Sequence, residues 1–278
     1  MGRFSRVSHG ALLLAWATAT QALSALGQPV KPAPDPEAPR ACLPALLREP
    51  LKLPAEQPVA VAAVSAPDAG DYRHLLRPTP AGWPVRDHWC VWIEPVQAPA
   101  GSGVWQREQQ WAQAVGRALD QWGSEVKLTL VPEPSLAQLR IWRRRPPLQR
   151  QANGQLRASH GRALLTLERV LRGDQWQAEP TVDLLLGADQ APLPMQATAL
   201  HELGHGFGLW AHSTAATDAM AAVPGPQPRL ELSPRDRATL RWLLRQSGRL
   251  SSPTAPAQNP AAPQAQPPGP TASPTPPN

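Results

Sequence analysis

Proline limits where this chain can fold. Of the 278 residues 36 are proline, which locks φ and lacks an amide donor, and they crowd the two ends. Residues 251–278 hold ten prolines and no charged residue; such a composition buries little apolar area and reads as a disordered tail. Residues 28–71 alternate proline, alanine and charged residues, with Pro29, Pro32, Pro34, Pro36 and Pro39 too close together for helix or strand. That stretch reads as a linker or short pro-region. Residues 1–27 place Arg3, Arg6 and His9 ahead of an apolar stretch from Ala11 to Ala25, followed by Leu26 and Gly27. This is the layout of a signal peptide, so the chain is expected to be secreted or to reach a periplasm or cell envelope. What remains, residues 72–250, suits one domain with a real core.

Charge and cysteine narrow the function classes. The formal charge is +6, with lysine only at Lys31, Lys52 and Lys127 and the arginines scattered. Losing Arg3 and Arg6 with the leader lowers it to +4, too little for a dedicated polyanion binder, so no nucleic-acid partner is expected. No apolar run near 20 residues exists to span a membrane in the mature chain. Arg143-Arg144-Arg145 before Pro146-Pro147 reads as a solvated turn. Two cysteines, Cys42 and Cys90, are available in an oxidising compartment. They pair as a disulfide, or Cys42 stays a thiol able to block a metal centre as a latency switch.

Periodicity within 72–250 mixes strands and helices. His88–Glu94 is aromatic and β-branched and bounded by prolines; Val126–Val131, Leu139–Trp142, Ala163–Leu167 and Val182–Leu186 supply four further strands. Trp105, Trp111, Val115, Leu119 and Trp122 recur at helical spacing from Val104 to Trp122, which predicts a βαβ start with the tryptophans in the core. Residues 140–157, rich in Arg and Gln, read as a long loop. A last helix opens at Ser233, with Pro234 in its first turn and Asp236 three residues on, and runs to Gly248. The fold class is α+β, with five strands.

The informative segment is His201-Glu202-Leu203-Gly204-His205-Gly206-Phe207-Gly208-Leu209-Trp210-Ala211-His212. On a helix beginning near Met195, His201 and His205 project from one face and can reach one cation. Gly208 lets the chain leave the helix in a left-handed turn, and His212 can swing back as third ligand. Three neutral imidazoles with one open position make a catalytic zinc site, in which the metal acidifies water and Glu202 takes the proton, then hands it to a leaving amine. The expected reaction is hydrolysis of a peptide bond in a protein or peptide substrate by a monomeric endopeptidase. A zinc-holding domain that binds peptides without cutting them is the alternative. Neither a phosphate-binding glycine loop nor a G-x-S-x-G nucleophile motif is present.

H-E-L-G-H-x-x-G with a following His, then Asp218-Ala219-Met220, resembles the metzincins. The likeness is to matrixin-like catalytic domains, and most nearly to predicted secreted zinc proteases of cyanobacteria carrying a G-L-W-x-H-S segment. The resemblance covers roughly 80–245. It implies a twisted mixed sheet, an active-site helix and a C-terminal helix, with His201, His205 and His212 as zinc ligands, Glu202 as acid/base, and Met220 in a methionine turn under the metal. It also implies that Val182–Leu186 is an edge strand along which substrate lies. Three residues rather than the usual two separate Gly208 from His212; if His212 did not reach, Asp218 or Glu231 would be the fallback ligand. Trp210 reads as a wall of the site or as a surface aromatic.

Overall fold

The computed structural model describes residues 42–52, 70–150, 153–246 and 249–250. The expected signal peptide, residues 1–27, and the Pro-rich tail, residues 251–278, lie outside the described residues. Eight strands and three α-helices follow in order: β1 (Leu47–Pro50), β2 (His88–Ile93), α1 (Gly103–Gly123), β3 (Lys127–Leu130), β4 (Leu139–Trp142), β5 (Gln149–Arg150), β6 (Leu156–Arg157), β7 (Gly161–Arg172), β8 (Gln175–Leu186), α2 (Pro192–Gly206) and α3 (Pro234–Leu244). No described helix is long and apolar enough to cross a membrane.

Six strands form one mixed sheet in the order β1-β7-β8-β4-β2-β3. β3, β2, β4 and β8 run parallel, and β7 runs antiparallel to both of its neighbours. β2, α1 and β3 make the expected βαβ unit. The two long strands β7 and β8 form a hairpin about Gly173-Asp174, far longer than the apolar patches at 163–167 and 182–186 suggest. Periodicity misses the extra length because β8 carries Glu179 and Pro180 at buried positions. Pro180 stands opposite Leu167, whose carbonyl points outward to accept from the Leu51 amide at 2.9 Å. Pro180 therefore also turns its nitrogen away from β7, and the missing donor costs that ladder nothing. Glu179 is fully buried and held by bidentate bonds from Arg172 at 2.7 and 2.9 Å, with Gln177 at 2.7 Å.

Two sequence expectations are corrected. The linker reading of 28–71 fails at its middle: Leu47–Pro50 is a strand, because Cys42 is disulfide-bonded to Cys90 of β2 and Arg48 bridges Glu168 of β7 at 2.8 Å. Both anchors are distant in sequence, so local proline spacing could not reveal them. The disulfide also decides against a latency thiol. Arg143 is no solvated turn residue, since it bridges Glu108 at 3.0 Å with only 9% of its side chain exposed. Within the expected long loop, β5 and β6 pair as a short hairpin.

The helices cover one face of the sheet. Trp89, Trp111, Trp122, Phe207, Leu139, Ile141, Leu184, Leu200 and Leu203 are fully buried there. Each tryptophan removes roughly 150–250 Å² from water, on the order of 4–6 kcal/mol before entropy is charged. Two of the indole donors tie α1 to its neighbours: Trp122 Nε1 donates to the Leu200 carbonyl of α2 at 2.9 Å and Trp111 Nε1 to the Leu186 carbonyl of β8 at 3.2 Å. α1 thus fixes α2 in depth and rotation.

Candidate metal centre

α2 begins with Pro192 at its first position, where a missing amide is harmless. Met195, Ala199, Leu200 and Leu203 make its buried face, so His201, Glu202 and His205 turn the other way. The helix closes in a Schellman motif: the Leu209 amide donates to the Gly204 carbonyl at 2.9 Å and the Gly208 amide to that of His205 at 3.0 Å. Gly208 has φ +113°, and a Cβ there would stand 2.5 Å from Val85 Cγ1. Only glycine satisfies both conditions. The chain is thereby reversed, Trp210 stacks on the His205 ring at 5.7 Å as a wall, and His212 returns. The three residues between Gly208 and His212 are absorbed in this turn.

One nitrogen from each of His201, His205 and His212 lies within 4.8 Å of the other two, an arrangement that could hold a metal ion. Two imidazoles are oriented by main-chain acceptors: His201 Nδ1 donates to the Ala219 carbonyl at 2.9 Å and His205 Nδ1 to that of Leu209 at 2.7 Å. Carbonyls only accept, so in the neutral rings the proton is on Nδ1 and the Nε2 lone pair faces inward. His205 Nε2 stands 3.2 Å from His212 Nε2 and, with its own proton on Nδ1, accepts from it; a metal bound here would take the place of that shared proton. Burial favours the neutral rings: it takes His205 down to about 3, helped by the neighbouring His201 charge, and lowers His201 and His212 as well. His201 and His205 thus present a lone pair to a metal without a proton to displace.

Glu202 lies against the first residues of β7. A Cβ on Gly161 would sit 2.6 Å from Glu202 Cγ and 2.6 Å from Thr198 Cγ2, so the strand approaches α2 as closely as glycine allows. Burial lifts the Glu202 carboxyl to about 7, opposed by the Ala163 amide, which donates to it, and by the charge of Arg162. The expected edge strand is corrected here: Val182–Leu186 lies in β8, paired on both sides. The strand bordering the site is β7, and its outer edge from Gly161 to Thr166 carries no strand among the described residues. Order along the sheet is set by crossovers that no single strand's pattern encodes.

Under the histidines runs the turn 213–221, closed by Ser213 N–H to the Met220 carbonyl at 2.7 Å. Met220 is fully buried, its sulfur against Gly204 of α2. Asp218 is not a ligand: its carboxylate takes Ser213 Oγ at 2.5 Å and Arg235 Nε at 3.0 Å. Glu231, exposed, also stands outside the histidine group. Asp236 is fully buried and was legible only as the capping partner of Ser233. It also accepts from the Ala219 amide at 2.8 Å, the Met220 amide at 3.4 Å and Tyr72 Oη at 2.9 Å. Through Ala219, whose carbonyl orients His201, one α3 carboxylate supports the site. A cavity of about 630 Å³ opens between 217–218 and 228–235, with none of the three histidines in its walls.

No family model matches the chain, and no curated protein matches it.

Proposed function

We propose that this chain is a secreted zinc-dependent endopeptidase of metzincin type. The observation that carries the reading is the convergence of three neutral imidazoles beside a buried carboxylate that no ion pair occupies among the described residues. A purely structural metal site needs no such acid next to its ligands. Three histidines suit zinc, with the fourth position left open.

Zinc bound there supplies Lewis acidity, polarising the amide carbonyl and acidifying the attacking water. The protein's own groups do the rest. Glu202, raised towards neutrality, takes the proton of the water and returns it to the departing amine, a task suited to a group whose affinity for protons is close to the working pH. The Ala163 amide holds one side of that carboxylate. The edge of β7 from Gly161 to Thr166, bare among the described residues, receives the substrate backbone by strand addition, and Trp210 closes the far side behind His205.

The test pairs metal analysis with cleavage of casein or quenched peptides. Wild type should hold about one zinc and cut. Glu202→Ala should keep the metal and lose activity by about 10²–10⁴-fold, and His212→Ala should lose the metal. Bound zinc with no cleavage in the wild type would instead make this a peptide-binding domain.

A further inference from the structure

β1 and the free edge of β7 are two parts of one ladder. β1 pairs antiparallel with β7, Leu47 opposite Leu171 and Pro50 opposite Glu168, and the Leu51 amide adds a last bond to the Leu167 carbonyl at 2.9 Å. Continuing that register brings Lys52 level with Thr166. We infer that β1 limits how many residues a substrate can register on the N-terminal side of the bond presented to Glu202. The inference rests on the peptidase reading above.

Backbone polarity along β7 carries the argument. The carbonyls of Leu167 and Leu171 point outward, to Leu51 and Leu46, whereas that of His160, of the other parity, points inward to the Gly187 amide at 2.8 Å. Leu165 and Ala163 therefore also face outward. The Ala163 amide serves Glu202, which, among the described residues, leaves both groups of Leu165 and the Ala163 carbonyl for an incoming strand. These groups continue the spacing that β1 already uses, so a peptide adding to this edge takes the same antiparallel sense, the better-paired of the two. Its N-terminal end then runs into Lys52. Between Lys52 and the residue opposite Ala163, the positions opposite Leu164 and Leu165 are the ones left open among the described residues. A longer N-terminal stretch must peel away from the sheet without gaining backbone bonds. On the other side β7 itself ends at Gly161, so the positions opposite Arg162 and Gly161 remain for residues after the scissile bond, and no strand covers them among the described residues.

Quenched peptides that share one C-terminal half and carry one to six residues before the scissile bond test this on the zinc-loaded protein. The expected kcat/KM climbs to the second or third residue and then changes by less than about two-fold per added residue. Leu51→Pro deletes the last ladder bond and frees the Leu167 carbonyl; it should move the plateau outward by one or two residues while leaving the shortest peptides within about two-fold of wild type. Arg48→Ala, which removes the Glu168 bridge, should move it the same way and serves if the proline variant does not fold. A rise that continues through six residues, a plateau that neither variant moves, or a length limit found on the C-terminal side instead would overturn the inference and leave the peptidase reading standing. Failure to cut a peptide of any length would remove both.

Discussion

Gly161 shows how much one missing methyl group can matter. It has no left-handed φ and lies in a strand, so its sequence context marks it as unremarkable, yet Glu202 and Thr198 fill the space where a Cβ would be. Gly161→Ala should therefore push the carboxylate aside, lowering kcat/KM by about 10–100-fold with zinc content unchanged, since misplacement by about 1 Å is enough for such a loss. Gly208→Ala differs in kind. Its φ of +113° and the approach of Val85 make the loss one of stability, about 2–3 kcal/mol in a urea titration, with weaker metal retention because His212 is aimed by that turn. The histidines and Gly208 were legible because their geometry is local, set by helix pitch and one turn. Gly161 was not, because the residues that crowd it are some forty positions away.

At the scale of elements, the β7–β8 hairpin is pinned by an ion cluster. Burial would raise the Glu179 carboxyl, but bonds from Arg172 and the charges of Arg86 and Arg172 outweigh it and hold it below its ordinary value of 4.5. A depressed carboxylate contributes stability above its unfolded value and loses it as pH falls through the folded one. Urea midpoints should accordingly drop as pH is lowered from 6 through 4.5 and beyond, and Glu179→Gln should flatten that dependence while lowering stability at pH 6. α3 offers a parallel case: Asp236→Asn leaves four main-chain or hydroxyl donors short of a charged acceptor and should cost about 2–3 kcal/mol, with looser zinc through the 219–220 turn. Pattern alone foresaw the helices and three of the strands closely, and placed β7 and β8 but not their length. It put the edge strand on an inner member of the sheet and passed over β1, since strand order and disulfide reach are properties of the folded chain.

For the molecule as a whole, the described fold is closed at its entry by Cys42–Cys90, which spans 48 positions. A loop of that size should contribute about 4 kcal/mol by restricting the unfolded chain, so reduction should lower the thermal midpoint and release β1 first. The two imidazole-orienting bonds point to something further. Both acceptors, at Ala219 and Leu209, are main-chain carbonyls, and no single codon change can delete a carbonyl. Lineages drifting under mutation keep this alignment through almost any replacement at those two positions. Selection then bears on the residues that shape the backbone there, Gly208 and Asp236, and a random-mutagenesis screen for zinc-deficient variants that spare the histidines should return those two positions ahead of 209 and 219.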